Sequence, residues 1–286
     1  MASIELIHCE TLDDFCSRVS PIGELFGAVG SSFAFRGQSN SAWELVPRVF
    51  RKEVIAKYKV GMMSRLNDHP GQFFFEYVLL SGFINYCDET GLSIPNDSME
   101  FRNYFNQNRI TNVHGINNRS WPQENVIPLM ALAQSHGIPT RLLDWSKNSY
   151  VACYFAAASA VDGDFNDDDK IALFAIDLNA ISTVSGIRHV RVPGSTSQNL
   201  SSQGGSFMLV DNSGSRGEPF TSDVSVESKL SAGRSILTKV TLPKALAGDL
   251  LLRCNKFGFS AATVFPGYDG VAKAVLESTL AFNYLH

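Results

Sequence analysis

Gln134-Ser-His-Gly-Ile-Pro-Thr-Arg-Leu-Leu-Asp-Trp-Ser146, running into Val151-Ala-Cys-Tyr-Phe-Ala-Ala157, is the stretch from which the rest of the chain can be read. Seven of its first thirteen residues carry polar or ionisable side chains, set between Leu, Ile and Trp. Burying a charge without a partner costs several kcal/mol, so His136, Arg141 and Asp144 are expected to pair with each other or to meet a ligand. Gly137 suits the end of a helix, and Pro139 favours an extended residue before it. The spacing predicts a helix, a sharp exit, a short strand over Thr140 to Trp145 and a new helix from about Tyr150. The tip of that strand would carry Asp144, Trp145 and Ser146 to the mouth of a cleft. The same block also reads as a polar network that staples a strand to two helices.

The bulk properties bound the answer. At 286 residues, 44% hydrophobic and 18% charged, the chain is ordinary globular material with ample apolar residues for a core. A formal net charge of −4 gives no basic footprint for broad duplex DNA or RNA binding, although a local phosphate pocket is compatible with it. The five cysteines (Cys9, Cys16, Cys87, Cys153 and Cys254) are scattered and odd in number, which suits free thiols in a reducing compartment. The histidines are equally dispersed, and no metal site is expected. Acidic residues near the N-terminus do not suit a signal peptide, and no apolar run approaches the roughly 20 residues of a membrane span. A cytoplasmic location and no membrane partner are the resulting expectations.

Outward from the central block, residues 10–26 read as a helix with Leu12, Phe15, Val19 and Ile22 at helical spacing. Ser32 to Gly37 alternates as a strand, with Phe33 and Phe35 on one face, Arg36 opposite and Gly37 allowing a turn. Residues 70–89 form a helix opened by Pro70 and closed by Gly91, with Glu76 among its apolar positions. A further helix is expected over 124–135, and Lys170 to Asp177 is an apolar strand. The acidic run before it (Asp162, Asp164, Asp167, Asp168, Asp169) reads as a solvated loop, because its spacing does not suit calcium. Short strands are expected near 206–210, 235–241 and 261–265, a loop over Pro193 to Gln203 and a helix from Gly270 to Phe282. Helices early and strands late predict an α+β fold, in a single domain over 1–286 with a mixed β-sheet core.

Arg36 is the leading site candidate, because a guanidinium on the polar side of a strand suits bidentate phosphate binding. Its structural alternative is a salt bridge to Glu76 or Asp144. His136 reads as a general acid or base or as a ribose contact, and equally as a satisfied structural histidine. Arg141 and Asp144 are three apart on a strand and face opposite sides; Asp144 is the functional candidate and Arg141 the structural one. Trp145 offers a stacking face or core packing, Ser146 a ribose contact or a helix N-cap. Gln203 can read hydroxyls or an amide. Asp269 reads mainly as a turn residue.

Phe35-Arg36-Gly37-Gln38 resembles the signature of the FRG-domain family, and Leu45-Val-Pro-Arg-Val-Phe-Arg51 is similar to that family's next block. Gln134 to Ala156 resembles its strongest block. Gln203-Gly-Gly-Ser-Phe207 and Phe265-Pro-Gly-Tyr-Asp-Gly270 are similar to the later ones, so the resemblance spans about residues 33–275. The family occurs in bacterial and prophage genomes, which implies a toxin or anti-phage effector. The order of blocks also resembles ADP-ribosyltransferases. That resemblance implies an ADP-ribosyltransferase-like fold and NAD as a substrate, with no metal. Arg36, Gly37 and Gln38 would hold the dinucleotide together with Trp145 and Ser146, while Arg36, His136, Asp144 and Gln203 carry the catalysis. Gly205 stands where such enzymes place a catalytic Glu, so Asp144 or Glu76 would have to supply the charge. The acceptor would be a protein, a nucleic acid or water. The alternative is a non-catalytic module that binds a nucleotide or a protein on the same fold.

Overall fold

The computed structural model describes residues 4–59, 72–109, 121–163, 169–196, 198–211, 222–230 and 235–284. Its strands are β1 (Ile4–His8), β2 (Phe33–Gln38), β3 (Leu142–Ser146), β4 (Lys170–Asp177), β5 (Ile187–Val190), β6 (Gly205–Val210) and β7 (Leu237–Pro243). Its helices are α1 (Leu12–Val19), α2 (Lys52–Tyr58), α3 (Gln72–Thr90), α4 (Met99–Tyr104), α5 (Ile127–Ser135) and α6 (Ser149–Val161), then α7 (Leu178–Ile181), α8 (Gln198–Ser202), α9 (Ala247–Lys256), α10 (Ala261–Val264) and α11 (Tyr268–Asn283). The seven described strands form one mixed sheet in the order β1-β7-β4-β2-β3-β6-β5. Only β1 and β7 pair in parallel. The fold is α+β. Strands are drawn from both ends of the chain, because β1 and β7 lie side by side.

Side-chain alternation sorts the sheet into two faces. On one face Phe35, Leu173, Ala175 and Val240 meet α1, α6 and α9. Farther along the same face, Leu142, Phe207 and Leu209 join a separate aromatic-rich cluster with α3 and α5. The opposite face buries Ala34, Leu143, Trp145, Phe174 and Met208 under Leu45, Phe50, Ile55 and Phe75. The two clusters on the first face part where β2 meets β3. Those strands share a single registered pair, Phe35 with Ser146, and diverge beyond it.

Local chemistry explains where the elements differ from their sequence patterns. The first helix stops at Val19, short of residue 26, since Ser20 is extended before Pro21, and Ile22 is 90% exposed. Residues 261–265 form the helical turn α10 instead of a strand, because Ser260 and Thr263 cap each other reciprocally. The expected loop at 193–203 contains a 3-10 turn (Gly194–Thr196) and α8. β1, β5, α2, α4, α7 and α9 had no expected counterpart: the two strands are four or five residues long and depend on their neighbours. Gly91 ends α3 with φ +71°, as its position predicts. Pro70, Ser197 and the acidic positions 164, 167 and 168 lie outside the described residues.

Candidate functional site

The central block resolves into distinct physical tasks. Gly137, with φ +92°, sits just past the end of α5. Ile138 N–H returns to the Ala133 carbonyl at 3.0 Å and Gly137 N–H to that of Gln134 at 3.0 Å, the paired bonds of a left-handed helix stop. Thr140 is buried, and its hydroxyl donates to Gln134 Oε1. Arg141 turns to the interior and makes a bidentate pair with Glu76, Nε–Oε2 and Nη2–Oε1 both 2.8 Å. Both side chains of that pair are 1% exposed. Trp121 Nε1 (3.2 Å) and Gln72 Nε2 (3.2 Å) also donate to Glu76, so the carboxylate is fully engaged. Glu76 is therefore the partner of Arg141 and not of Arg36, which corrects one expected pairing. Leu143 and Trp145 point into the opposite core, leaving Asp144 and Ser146 on the face where the two clusters part.

A cavity of about 380 Å³ occupies that parting. Its floor includes Phe35, Arg36, Gly37, Asp144, Ser146 and Phe207, while α5 contributes Ala131, Gln134 and Ser135. Ala152 and Phe155 of α6, Asn199 and Leu200 of α8, Gln203 and Phe265 complete it. Arg36 starts from the opposite face, in register with Phe174, and is among the residues that line the cavity beside the diverging strands. Its Nη1 donates to the Asp144 main-chain oxygen at 2.8 Å and lies 4.0 Å from Asp144 Oδ2. Arg36 Nε finds no acceptor among the described residues. The Arg36 side chain is 18% exposed and that of Asp144 is 65% exposed, so the carboxylate opens into the cavity.

The surrounding protein still desolvates Asp144 and raises its carboxyl above the usual range; Arg36 and the Gln134 amide pull the other way. Water entering through the open side offsets part of that desolvation. Burial likewise lowers the Arg36 pKa, against the attraction of Asp144, but a guanidinium stays charged throughout the working range. Arg51, half-buried, adds a second positive charge acting on Asp144.

The glycine of Phe-Arg-Gly makes no turn here. Gly37 lies within β2, paired with Leu173, and a Cβ on it would fall 1.9 Å from the Ala152 carbonyl oxygen. Its absence lets α6 press onto the sheet and brings Ala152 and Phe155 against the cavity. Gly205 is similarly confined: a Cβ there would lie 2.4 Å from Leu200 Cδ1 and 3.2 Å from the Leu200 carbonyl oxygen. A side chain at position 205 would have to displace the Leu200 methyl and sit tightly against its carbonyl, and as glycine the position supplies no carboxylate.

The structure thus brings Arg36, Gly37, Asp144, Trp145, Ser146 and Gln203 to one cavity. His136 is elsewhere, exposed at the end of α5 and outside the lining. Gln38 is buried, donates to the Glu44 carbonyl at 3.4 Å and does not line the cavity. Trp145 is 3% exposed and packs in the core, leaving little ring for stacking. Ser146 Oγ donates to the Gln203 carbonyl at 2.7 Å and accepts from Asn148 N–H at 3.0 Å; Asn148, not Ser146, caps α6. Gln203 Nε2 rests against the Val264 carbonyl at 3.4 Å. Phe155 and Phe265, edge to face at 5.9 Å, supply the aromatic wall that had been expected of Trp145. Both stand inside motif blocks, but helical spacing marks Phe155 only as apolar.

The α+β scaffold thus sets an arginine and a carboxylate against a cavity at an opening in its sheet. The FRG domain family model matches residues 31–164, and the chain carries an FRG domain over that segment. The matched segment supplies β2, α5, β3 and α6, hence Arg36, Gln134 and Asp144. Asn199, Leu200, Gln203, Phe207 and Phe265 come from beyond it. No curated protein and no solved structure matches the chain. No described helix is long and apolar enough to cross a membrane. Among the described residues no group of three or more His, Cys, Asp or Glu is placed to hold a metal ion.

Proposed function

We propose that the cavity binds a nucleotide of the NAD type and that the protein is an ADP-ribosyltransferase-like or NAD-glycohydrolase-like enzyme. The observation that carries this reading is the juxtaposition of Arg36 and Asp144 where β2 and β3 separate, with the carboxylate open to the cavity. Arg36 offers charge-assisted hydrogen bonds to a pyrophosphate. Phe155 and Phe265 offer apolar contact to a flat ring, and Gln203 and Ser146 offer polar contacts to a ribose. A cavity of about 380 Å³ falls in the range of small-ligand sites.

In the reaction, the bond between the ribose anomeric carbon and nicotinamide breaks and nicotinamide leaves with the electron pair. Asp144 stabilises the positive charge that develops at that carbon. Water, or a side chain of a macromolecular acceptor, then adds to the carbon and gives up its proton. Asp144 takes this role because Glu76 is consumed by Arg141 and Gly205 supplies no carboxylate. An NAD-consuming effector acting in the cytoplasm, in toxin or phage-defence settings, is the biological context that the FRG resemblance suggests.

Gly205 favours a second reading, a non-catalytic nucleotide-binding module. Purified protein incubated with NAD separates the two. Nicotinamide release that drops at least 100-fold in Asp144→Asn, with ADP-ribose still bound, supports the enzyme. ADP-ribose binding without release supports the module, and neither binding nor release removes both.

A further inference from the structure

We infer that Gln134, locked in place by Thr140, is a positioning residue that keeps the Asp144 carboxylate ionised and turned into the cavity; this rests on the role given to Asp144 above. Thr140 Oγ accepts the Leu142 N–H at 3.2 Å, so its single hydrogen is free to donate to Gln134 Oε1. The ionised Asp144 carboxylate can only accept, and this settles which end of the Gln134 amide faces which way. The oxygen is held by Thr140, and Nε2 points at Asp144 Oδ1, 2.7 Å away. Reversing the amide would set its oxygen against a carboxylate oxygen 2.7 Å away, two acceptors with no hydrogen between them.

The remaining groups around Asp144 hold it less directly. Arg36 Nη1 is 4.0 Å from Oδ2 and is engaged at 2.8 Å with the main-chain oxygen of the same residue. Arg51, beyond the 3-10 turn that precedes α2, acts through space, and Glu227 partly offsets Arg36. His136 follows Gln134 but is exposed at the helix end. An amide does not titrate, so its donation persists at every working pH and favours the charged carboxylate throughout. The main chain of Gln134 is itself anchored, its carbonyl accepting the Gly137 N–H at 3.0 Å. The spacing Gln134, Thr140, Asp144 is therefore a device for holding one carboxylate from a helix end across a tight turn. Asp144 would be the group that touches substrate; Gln134 acts through it.

The test follows the Asp144 carboxyl directly, by carbon NMR titration of the full-length protein, the signal being assigned by its loss in Asp144→Asn. Gln134→Met keeps the side-chain length and removes the donor, and should raise the Asp144 midpoint by about one pH unit. Thr140→Val should shift it in the same direction by less, and Thr140→Ser should restore the wild-type midpoint. Gln134→Met is at a half-buried position and should leave the thermal midpoint nearly unchanged, which separates positioning from a structural role. The acid limb of nicotinamide release should move with the titration, with kcat affected more than KM. An Asp144 midpoint that shifts by less than about 0.2 unit in Gln134→Met overturns the inference. A shifted midpoint with no nicotinamide release in any variant leaves it standing and removes the NAD-cleaving reading instead.

Discussion

Arg141–Glu76 and Arg36–Asp144 are the same pair of chemical groups put to opposite uses. The first is shut away: both side chains are 1% exposed, the fork is bidentate at 2.8 Å, and Trp121 and Gln72 saturate what is left of the carboxylate. The second is held open, with one long contact of 4.0 Å, an arginine Nε lacking an acceptor among the described residues, and a carboxylate 65% exposed toward a cavity. A pair that satisfies itself ties α3 to β3. A pair that does not is available to a ligand. Asking how many hydrogen-bonding sites a charged pair has left therefore separates a staple from a site, even where both lie in one thirteen-residue motif.

The largest effect expected from this contrast lies with the closed pair. Arg141→Met strands Glu76 in a dry interior and should cost about 3–5 kcal/mol, lowering the thermal midpoint by on the order of 10 °C in a chain of this size. Arg141→Met combined with Glu76→Leu should recover a good part of the loss, because no charge is then left buried. Calorimetry on the three proteins checks this. A single variant as stable as wild type would mean that the closed pair is not a staple.

Arg36→Ala should behave in the opposite way. Asp144 keeps its Gln134 donor and its access to water, so the stability loss should be about 1 kcal/mol, while ADP-ribose affinity falls about 10- to 100-fold. Arg36→Lys should fold normally and still bind poorly, having lost the planar fork. Full binding by a well-folded Arg36→Lys protein would take Arg36 out of the site.

A smaller effect follows from pH. Burial raises the Asp144 pKa in the folded protein, so the folded state takes up this proton at a higher pH than the unfolded chain does. The penalty of holding a desolvated carboxylate is present above that folded pKa and is relieved as pH falls through it. A neutral Asp144 no longer offsets Arg36, so ADP-ribose binding should tighten as pH falls through that raised pKa, while nicotinamide release, which needs the charge, declines. Titration calorimetry and a release assay at matched ionic strength should show the two trends diverging. Parallel trends would remove Asp144 as the charged group of the site.

The smallest effect belongs to His136. It is exposed and outside the cavity lining, so His136→Ala should change stability by no more than about 0.5 kcal/mol and leave affinity within about two-fold. A large loss of nicotinamide release in that variant would bring the residue back into the chemistry.

Much of this molecule could be read directly. Phe33 to Gln38 and Lys170 to Asp177 declare themselves by their apolar patterns, and Gln72 to Thr90 by its apolar stripe and the Gly91 stop. The helix stop at Gly137 is likewise local, since only the left-handed region closes α5 there. Asp144 and Ser146 share a strand face because alternate residues must, and that put the carboxylate in view before any fold was known.

Which arginine meets which carboxylate was not local. Arg141 and Glu76 are 65 residues apart, and Arg36 was the arginine expected to meet Glu76; tertiary packing paired Glu76 with Arg141 instead. The place of Gly37 was hidden in the same way, since its need to lack a side chain comes from the Ala152 carbonyl on a helix more than a hundred residues later. The aromatic wall passed from Trp145 to Phe155 and Phe265, because Trp145, though among the lining residues, is 3% exposed and packs its indole in the core. Residue types and periodicity determined the elements and the polar inventory of this chain. Tertiary packing decided which polar groups were used up and which were left facing open space, because that depends on distances between residues that the order of the chain leaves free.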